Sequence, residues 1–184
     1  WQGEINYYTM VKQGVKGTLM KCGQASYVDP KFKENWRKAG EVGLKRGSYY
    51  YYDSRLEPKE QARKWYEFLG GDYGELPHFA DYEETYGGAY AGITHFKAFV
   101  TEFQRLTMLP DSKIGVYTGF YYWIEEGSTD LFWTRYWLWL AWYSVAGNVF
   151  VPAPWKESSL WGWQFTDHLN GPDYGVSSQE LDGN

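Results

Sequence analysis

The chain has 184 residues, a formal net charge of −5 and a pI near 5.2. That balance excludes an electrostatic nucleic-acid binder, which needs a basic face, and the length fits one domain with a substantial core. Aromatic residues reach 21%, with 11 Trp and 18 Tyr; these rings carry polar handles and are rarely all buried, so a ring-lined groove is expected beside a ring-packed core.

The chain opens at Trp1, and no charged leader followed by an apolar core is visible, so no signal peptide is expected. Gly17 to Cys22 reads as a short buried strand, with Cys22 a small core residue. Pro30 to Gly43 reads as a helix, because Phe32, Trp36 and Ala39 recur at helical spacing and Gly43 lies past the end. Gly47 to Tyr52 is a Tyr-rich strand. Glu57 to Leu69 is a helix with Pro58 in its first turn, a stripe of Ala62, Trp65 and Leu69, and Gly70-Gly71 as the stop. Leu76 to Glu83 is the next strand. Ile93 to Leu106 is a helix carrying Phe96, Phe99, Val100 and Phe103 on one side. Ile114 to Thr118, Trp137 to Tyr143 and Trp161 to Thr166 complete the strands. The aromatic stretch from Tyr136 to Val151 is too short and too interrupted, by Asn148, to span a membrane, and mean hydropathy is −0.60. Lys12, Lys16 and Lys21 read as scattered solvated charges.

Alternating strands and helices imply a mainly parallel sheet with helical crossovers, more irregular in its second half than an eightfold barrel. No linker or repeat interrupts residues 1–184, which read as a single domain. In such folds function gathers at the C-terminal strand ends. Asp81 and Glu83 end one strand at positions i and i+2, so alternation aims both to one face, with Cα atoms roughly 6.5 Å apart. Two acids on one face suit a proton donor beside an anion. Tyr52, Asp53 and Arg55 end another strand, with Asp53 and Arg55 read as a loop ion pair. Asp167 reads as a turn residue, and Asp182 lies near the chain end. If these ends meet, an acidic, aromatic cleft results, whose natural guest is a sugar polymer. Tyr52, Tyr117 and Trp142 fit core or cleft equally. Three scattered histidines, His78, His95 and His168, lack metal-ligand spacing, and neither a metal nor another cofactor is expected.

Several blocks resemble the glycoside hydrolase family 25 lysozymes in family order. They are Trp1-Gln2-Gly3-Glu4-Ile5-Asn6-Tyr7, Tyr27-Val28-Asp29-Pro30-Lys31-Phe32, Asp81-Tyr82-Glu83, Val116-Tyr117-Thr118, Leu140-Ala141-Trp142-Tyr143, Trp163-Gln164-Phe165-Thr166 and Leu181-Asp182-Gly183-Asn184. The resemblance implies an α/β fold, an irregular TIM-like (β/α) barrel. It implies an N-acetylmuramidase that cuts the β-1,4 bond between N-acetylmuramic acid and N-acetylglucosamine in peptidoglycan, with retention of configuration. It implies Glu83 as general acid and Asp81 and Asp182 as stabilising carboxylates, acting through the 2-acetamido group or the developing positive charge. Tyr52, Tyr117, Trp142 and Gln164 are the substrate-binding candidates. The family carries an Asp on a first strand ahead of Trp-Gln-Gly. That strand is absent from the residues given, and a truncated sequence is expected, since a missing barrel strand opens a sheet edge.

The expected partner is peptidoglycan, with no nucleic acid, no membrane span and a monomeric state. The expected location is the cell wall or the extracellular space, as for an autolysin or a phage lysin. The alternatives are a non-catalytic wall-binding module on the same scaffold, and a glycosidase acting on chitin.

Overall fold

A computed structural model describes residues 4–83, 86–143 and 148–183. Trp1-Gln2-Gly3 and Asn184, both part of the motif reading, lie outside the described residues, as do residues 144–147 of the aromatic stretch.

The sheet is built from β1 (Gly17–Gln24), β2 (Tyr27–Val28), β3 (Lys45–Tyr51), β4 (His78–Asp81), β5 (Ile114–Gly119), β6 (Trp137–Ala141) and β7 (Leu160–Gln164). These pair in the order β2-β1-β3-β4-β5-β6-β7, and all pairs are parallel except β1 with β2. The sheet curls into a half-barrel. β2 covers β1 only at Gly23 and Gln24, and among the described residues the sheet does not close onto β7. The last predicted strand is two: Phe165 separates β7 from β8 (Thr166–Asn170), which pairs antiparallel with β9 (Glu180–Gly183) in a separate ribbon.

The crossover helices are α2 (Phe32–Glu41), α3 (Pro58–Leu69) and α4 (Ile93–Thr107), with the short α1 (Tyr7–Lys12) before β1 and α5 (Phe120–Glu126) after β5. Each predicted stripe is buried: Phe32, Trp36 and Ala39 on α2, Ala62, Trp65 and Leu69 on α3, and Phe96, Phe99, Val100 and Phe103 on α4. Glu57 caps α3 by accepting the Glu60 N–H at 2.7 Å, and Gly70, at φ 62°, ends it in the left-handed region. Trp65 stacks on Phe103 with ring centroids 3.7 Å apart, joining α3 to α4 behind the sheet. Cys22 is buried in this layer, as its apolar neighbours implied.

Strand alternation separates two cores. Tyr50, Tyr52, Ala80, Tyr82 and Val116 face the helices. Leu19, Tyr49, Phe79, Tyr117, Trp139 and Trp161 form a smaller cluster inside the curl. Gly115 belongs to that inner layer: a Cβ there would strike the Phe79 ring, so its absence lets the ring pack flat across β5. Among the described residues no helix is long and apolar enough to cross a membrane.

Candidate active site

Parallel register brings four inward residues to one level near the C-terminal rim. Tyr51 pairs with Asp81, Asp81 with Tyr117, and Tyr117 with Trp139. Asp81 therefore stands between two tyrosines on the inner face, one level above Phe79. It is 3% exposed, and its Oδ1 has no hydrogen-bond partner among the described residues. Burial pushes its pKa well above the usual carboxylate range, Glu83 adds to the rise, and Lys21 opposes it.

β4 stops at Asp81, so Glu83 lies two residues beyond the strand. Tyr82 holds the two acids on the same side. Its N–H donates to the Tyr117 carbonyl at 2.9 Å, and its ring is buried among the helices, stacked on Phe96 at 4.2 Å. With Tyr82 drawn outward, its neighbours point into the curl. Glu83 is open to solvent by surface area, yet protein atoms crowd its carboxyl. Lost hydration raises its pKa, Lys21 lowers it, and Asp182 raises it further. Asp182 arrives from β9, its own pKa raised by partial burial and by Asp167. Burial first, and then the charges of all three acids, raise the pKa of the Tyr49 and Tyr117 hydroxyls, so each carboxylate is within electrostatic reach of both rings. Loss of hydration, the first cause at each acid, and the acids' mutual repulsion both favour retained protons.

Sequence reasoning missed Lys21. Its position on β1 opposite Tyr49 turns it inward, with Nζ 5.1 Å from the Tyr51 ring centroid and 3.3 Å from Gln24 Oε1. It is a cation facing the acids, not a solvated surface charge. The signal was Leu19-Lys21 alternation against Met20-Cys22, legible only once the buried side of β1 is known. Tyr49, Tyr51, Trp139 and Trp161 were likewise missed.

The substrate-binding candidates divide. Tyr117 lies in the inner cluster, its ring 4.5 Å from Trp139. Gln164 ends β7, buried, with Nε2 donating to the Tyr143 hydroxyl at 3.1 Å and Oε1 without a partner among the described residues. Tyr143, its pKa raised to about 12 by burial and then by Asp167, Asp182 and Glu83, adjoins the same acids. Trp142 sits on the rim in an aromatic group with Phe120 and Tyr121. Tyr52 does not reach the cleft. It is wholly buried between Phe96 and Phe99, and its hydroxyl donates to the Tyr90 carbonyl at 2.6 Å. The correction is one residue of strand phase: Tyr51 faces in, so Tyr52 faces out. Asp53 and Arg55 form the expected ion pair at 2.7 Å. Asp167 is not in a turn but in β8, 3.2 Å from His168 Nε2. Among the described residues no group of three or more His, Cys, Asp or Glu side chains is placed to hold a metal ion.

Among the described residues a cavity of about 800 Å³ lies along β1, and of the three acids Asp182 is in its wall. Lys21, Tyr49, Trp139, Trp161, Phe165 and Asp182 are among its walls. Flat rings with a few convergent polar groups are what a sugar site requires, and clustered acids with raised pKa values are what bond cleavage between sugars requires.

Residues 1–174 match the family model described as Glycosyl hydrolases family 25. The chain is 22% identical to Lysozyme M1 of Streptomyces globisporus over 193 residues, covering all of this chain and 65% of that protein. The chain thus spans just under two thirds of that curated relative's length. Among solved structures, the bacterial lysozyme of Streptomyces coelicolor superposes with a TM-score of 0.76 at 22% identity, covering 99% of this chain and 86% of that one. A family GH25 lysozyme of Aspergillus fumigatus gives 0.74 at 23% identity, covering 98% of this chain and 89% of that one. At these identities the structural likeness establishes the α/β half-barrel fold.

Proposed function

The chain belongs to family 25 of the glycosyl hydrolases, and from that premise we propose that it hydrolyses peptidoglycan as an N-acetylmuramidase. The observation that carries the reading is the inward pair Asp81 and Glu83 at the rim of a ring-lined cleft, both with raised pKa values and with Asp182 opposite.

Glu83 is the general acid. Of the pair it alone is exposed to solvent, and its raised pKa keeps a proton available above the ordinary carboxylate range. It delivers that proton to the glycosidic oxygen as the bond to the departing sugar breaks. Asp81 is too enclosed to meet the leaving group. From behind the cleft it acts as a stabilising carboxylate, its own pKa raised by burial and by Glu83. Asp182 adds negative charge where positive charge develops on the sugar ring. Tyr117 and Gln164 bind the substrate, and Trp142 supports it at the rim. Peptidoglycan is the partner, the cell wall or the extracellular space the place of action, and a monomer the working unit.

Glu83→Gln keeps the shape and removes the acid. Lysis of purified cell walls should fall by about 100-fold or more, while the circular dichroism spectrum and melting temperature stay near the parent's. Lysis at the parent's rate by the folded variant would show that Glu83 is not the acid.

A further inference from the structure

A second group of exposed rings stands on the same rim, beside the acids. Tyr121 is 67% exposed and Phe150 61% exposed. Trp142 lies between them, its ring 5.5 Å from Tyr121 and 6.0 Å from Phe150, with Phe120 closing one side at 4.7 Å. Water-facing rings gathered in one place cost the fold hydration free energy without a packing return, and such groups mark binding surfaces.

Trp142 is held firmly. Its N–H donates to the Gln164 carbonyl at 3.1 Å, its own carbonyl accepts the Trp163 indole N–H at 2.7 Å, and its Nε1 donates to the Asn148 carbonyl at 3.0 Å. A residue held at its backbone on both sides and at its ring nitrogen loses little entropy when a ligand lies against it. The group is also continuous with the acidic centre. Tyr143 follows Trp142 in the chain and receives the Gln164 side chain, whose backbone carbonyl receives Trp142.

We propose that Tyr121, Trp142 and Phe150 form a second carbohydrate-binding platform that stacks a pyranose ring of the glycan strand beyond the sugars at the acidic centre. This rests on the muramidase reading for the identity of the strand. The apolar C–H face of a pyranose matches a flat ring, and the platform's continuity with the cleft, through Tyr143 and Gln164, favours a guest already threaded past the acids over a separate protein partner. Tyr121 and Phe150 engage long strands and are idle on short ones, whereas Trp142, between them and the acidic centre, meets both.

The experiment compares the parent with Tyr121→Ala and Phe150→Ala on insoluble bacterial peptidoglycan and on a soluble tetrasaccharide of alternating N-acetylglucosamine and N-acetylmuramic acid. The expected result is a KM on peptidoglycan raised roughly tenfold, as loss of one ring contact predicts, with both kcat and KM on the tetrasaccharide at parent values. Unchanged KM on peptidoglycan overturns the platform, and so does an equal loss on both substrates, which would put these rings at the acidic centre. If the parent cleaves neither substrate, the muramidase reading fails by itself. The platform is then decided by co-sedimentation with peptidoglycan, where weaker binding by the two variants supports it and equal binding overturns it.

Discussion

Lys21 and Asp182 act on Glu83 in opposite senses, the lysine lowering its pKa and the aspartate raising it. If Glu83 is the general acid, activity declines as pH rises through its raised pKa. Lys21→Met removes the lowering influence, so the alkaline limb of kcat/KM against pH on purified walls should move to higher pH. Asp182→Asn removes a raising influence and should move that limb to lower pH, whatever it does to the maximal rate. Limbs that move together, or not at all, would disconnect the two residues from the acid. Asp81 yields a stability prediction. An acid whose folded pKa lies above its unfolded value contributes stability below the unfolded pKa and loses that contribution as pH rises through the folded one. At neutral pH Asp81 therefore burdens the fold, and Asp81→Asn should raise stability by about 1–3 kcal/mol, a shift of several degrees in melting temperature. The gain should vanish below about pH 4, where the carboxyl is neutral in both states.

Elements are tied behind the sheet by a buried polar chain that catalysis does not use. His78 on β4 contacts Ser48 Oγ on β3 through Nδ1 at 2.8 Å and the Tyr73 carbonyl through Nε2 at 2.9 Å, while Trp65 Nε1 on α3 donates to Ser48 Oγ at 3.0 Å. The arrangement suits a neutral ring with its proton on Nε2, donating to Tyr73 while Ser48 donates to Nδ1. Burial pushes the His78 pKa down to about 4. For a histidine lowered in the folded state, the stabilisation is whole above the unfolded pKa and is lost as pH falls toward the folded one. Between about pH 6.5 and 4 the chain should lose at most about 3 kcal/mol from this group. Urea unfolding across that range should show the slope in the parent and a flatter one in His78→Asn, whose side chain does not titrate. Equal slopes would remove His78 as the cause.

At the scale of the whole molecule, two layers divide the aromatic residues, and this division sets what was legible. Helix stripes such as Ala62-Trp65-Leu69 were readable because one amphipathic face at 3.6-residue spacing has one solution against a sheet. Asp81 and Glu83 were readable because the intervening Tyr82 forces a shared face in any extended conformation. The run Tyr49-Tyr50-Tyr51-Tyr52 was not, since identical residues on both faces carry no period-2 contrast, and Tyr52, fitting core or cleft equally, stood as the binding candidate in place of Tyr51. The short α5 and the β8–β9 ribbon escaped notice because their residues show no sustained periodicity.

The sequence by itself determined the alternating α/β plan, the crossover helices and an acidic pair at a strand end, all of which follow from local spacing. Only the tertiary structure decided that Asp182 meets Glu83 from about a hundred residues away, that Lys21 turns inward to face them, and that Tyr121, Trp142 and Phe150 gather on the rim. The physical reason is the same in each case. Local pattern specifies which face a side chain takes relative to its neighbours, whereas the curl of the sheet and the return of the chain specify which faces come together.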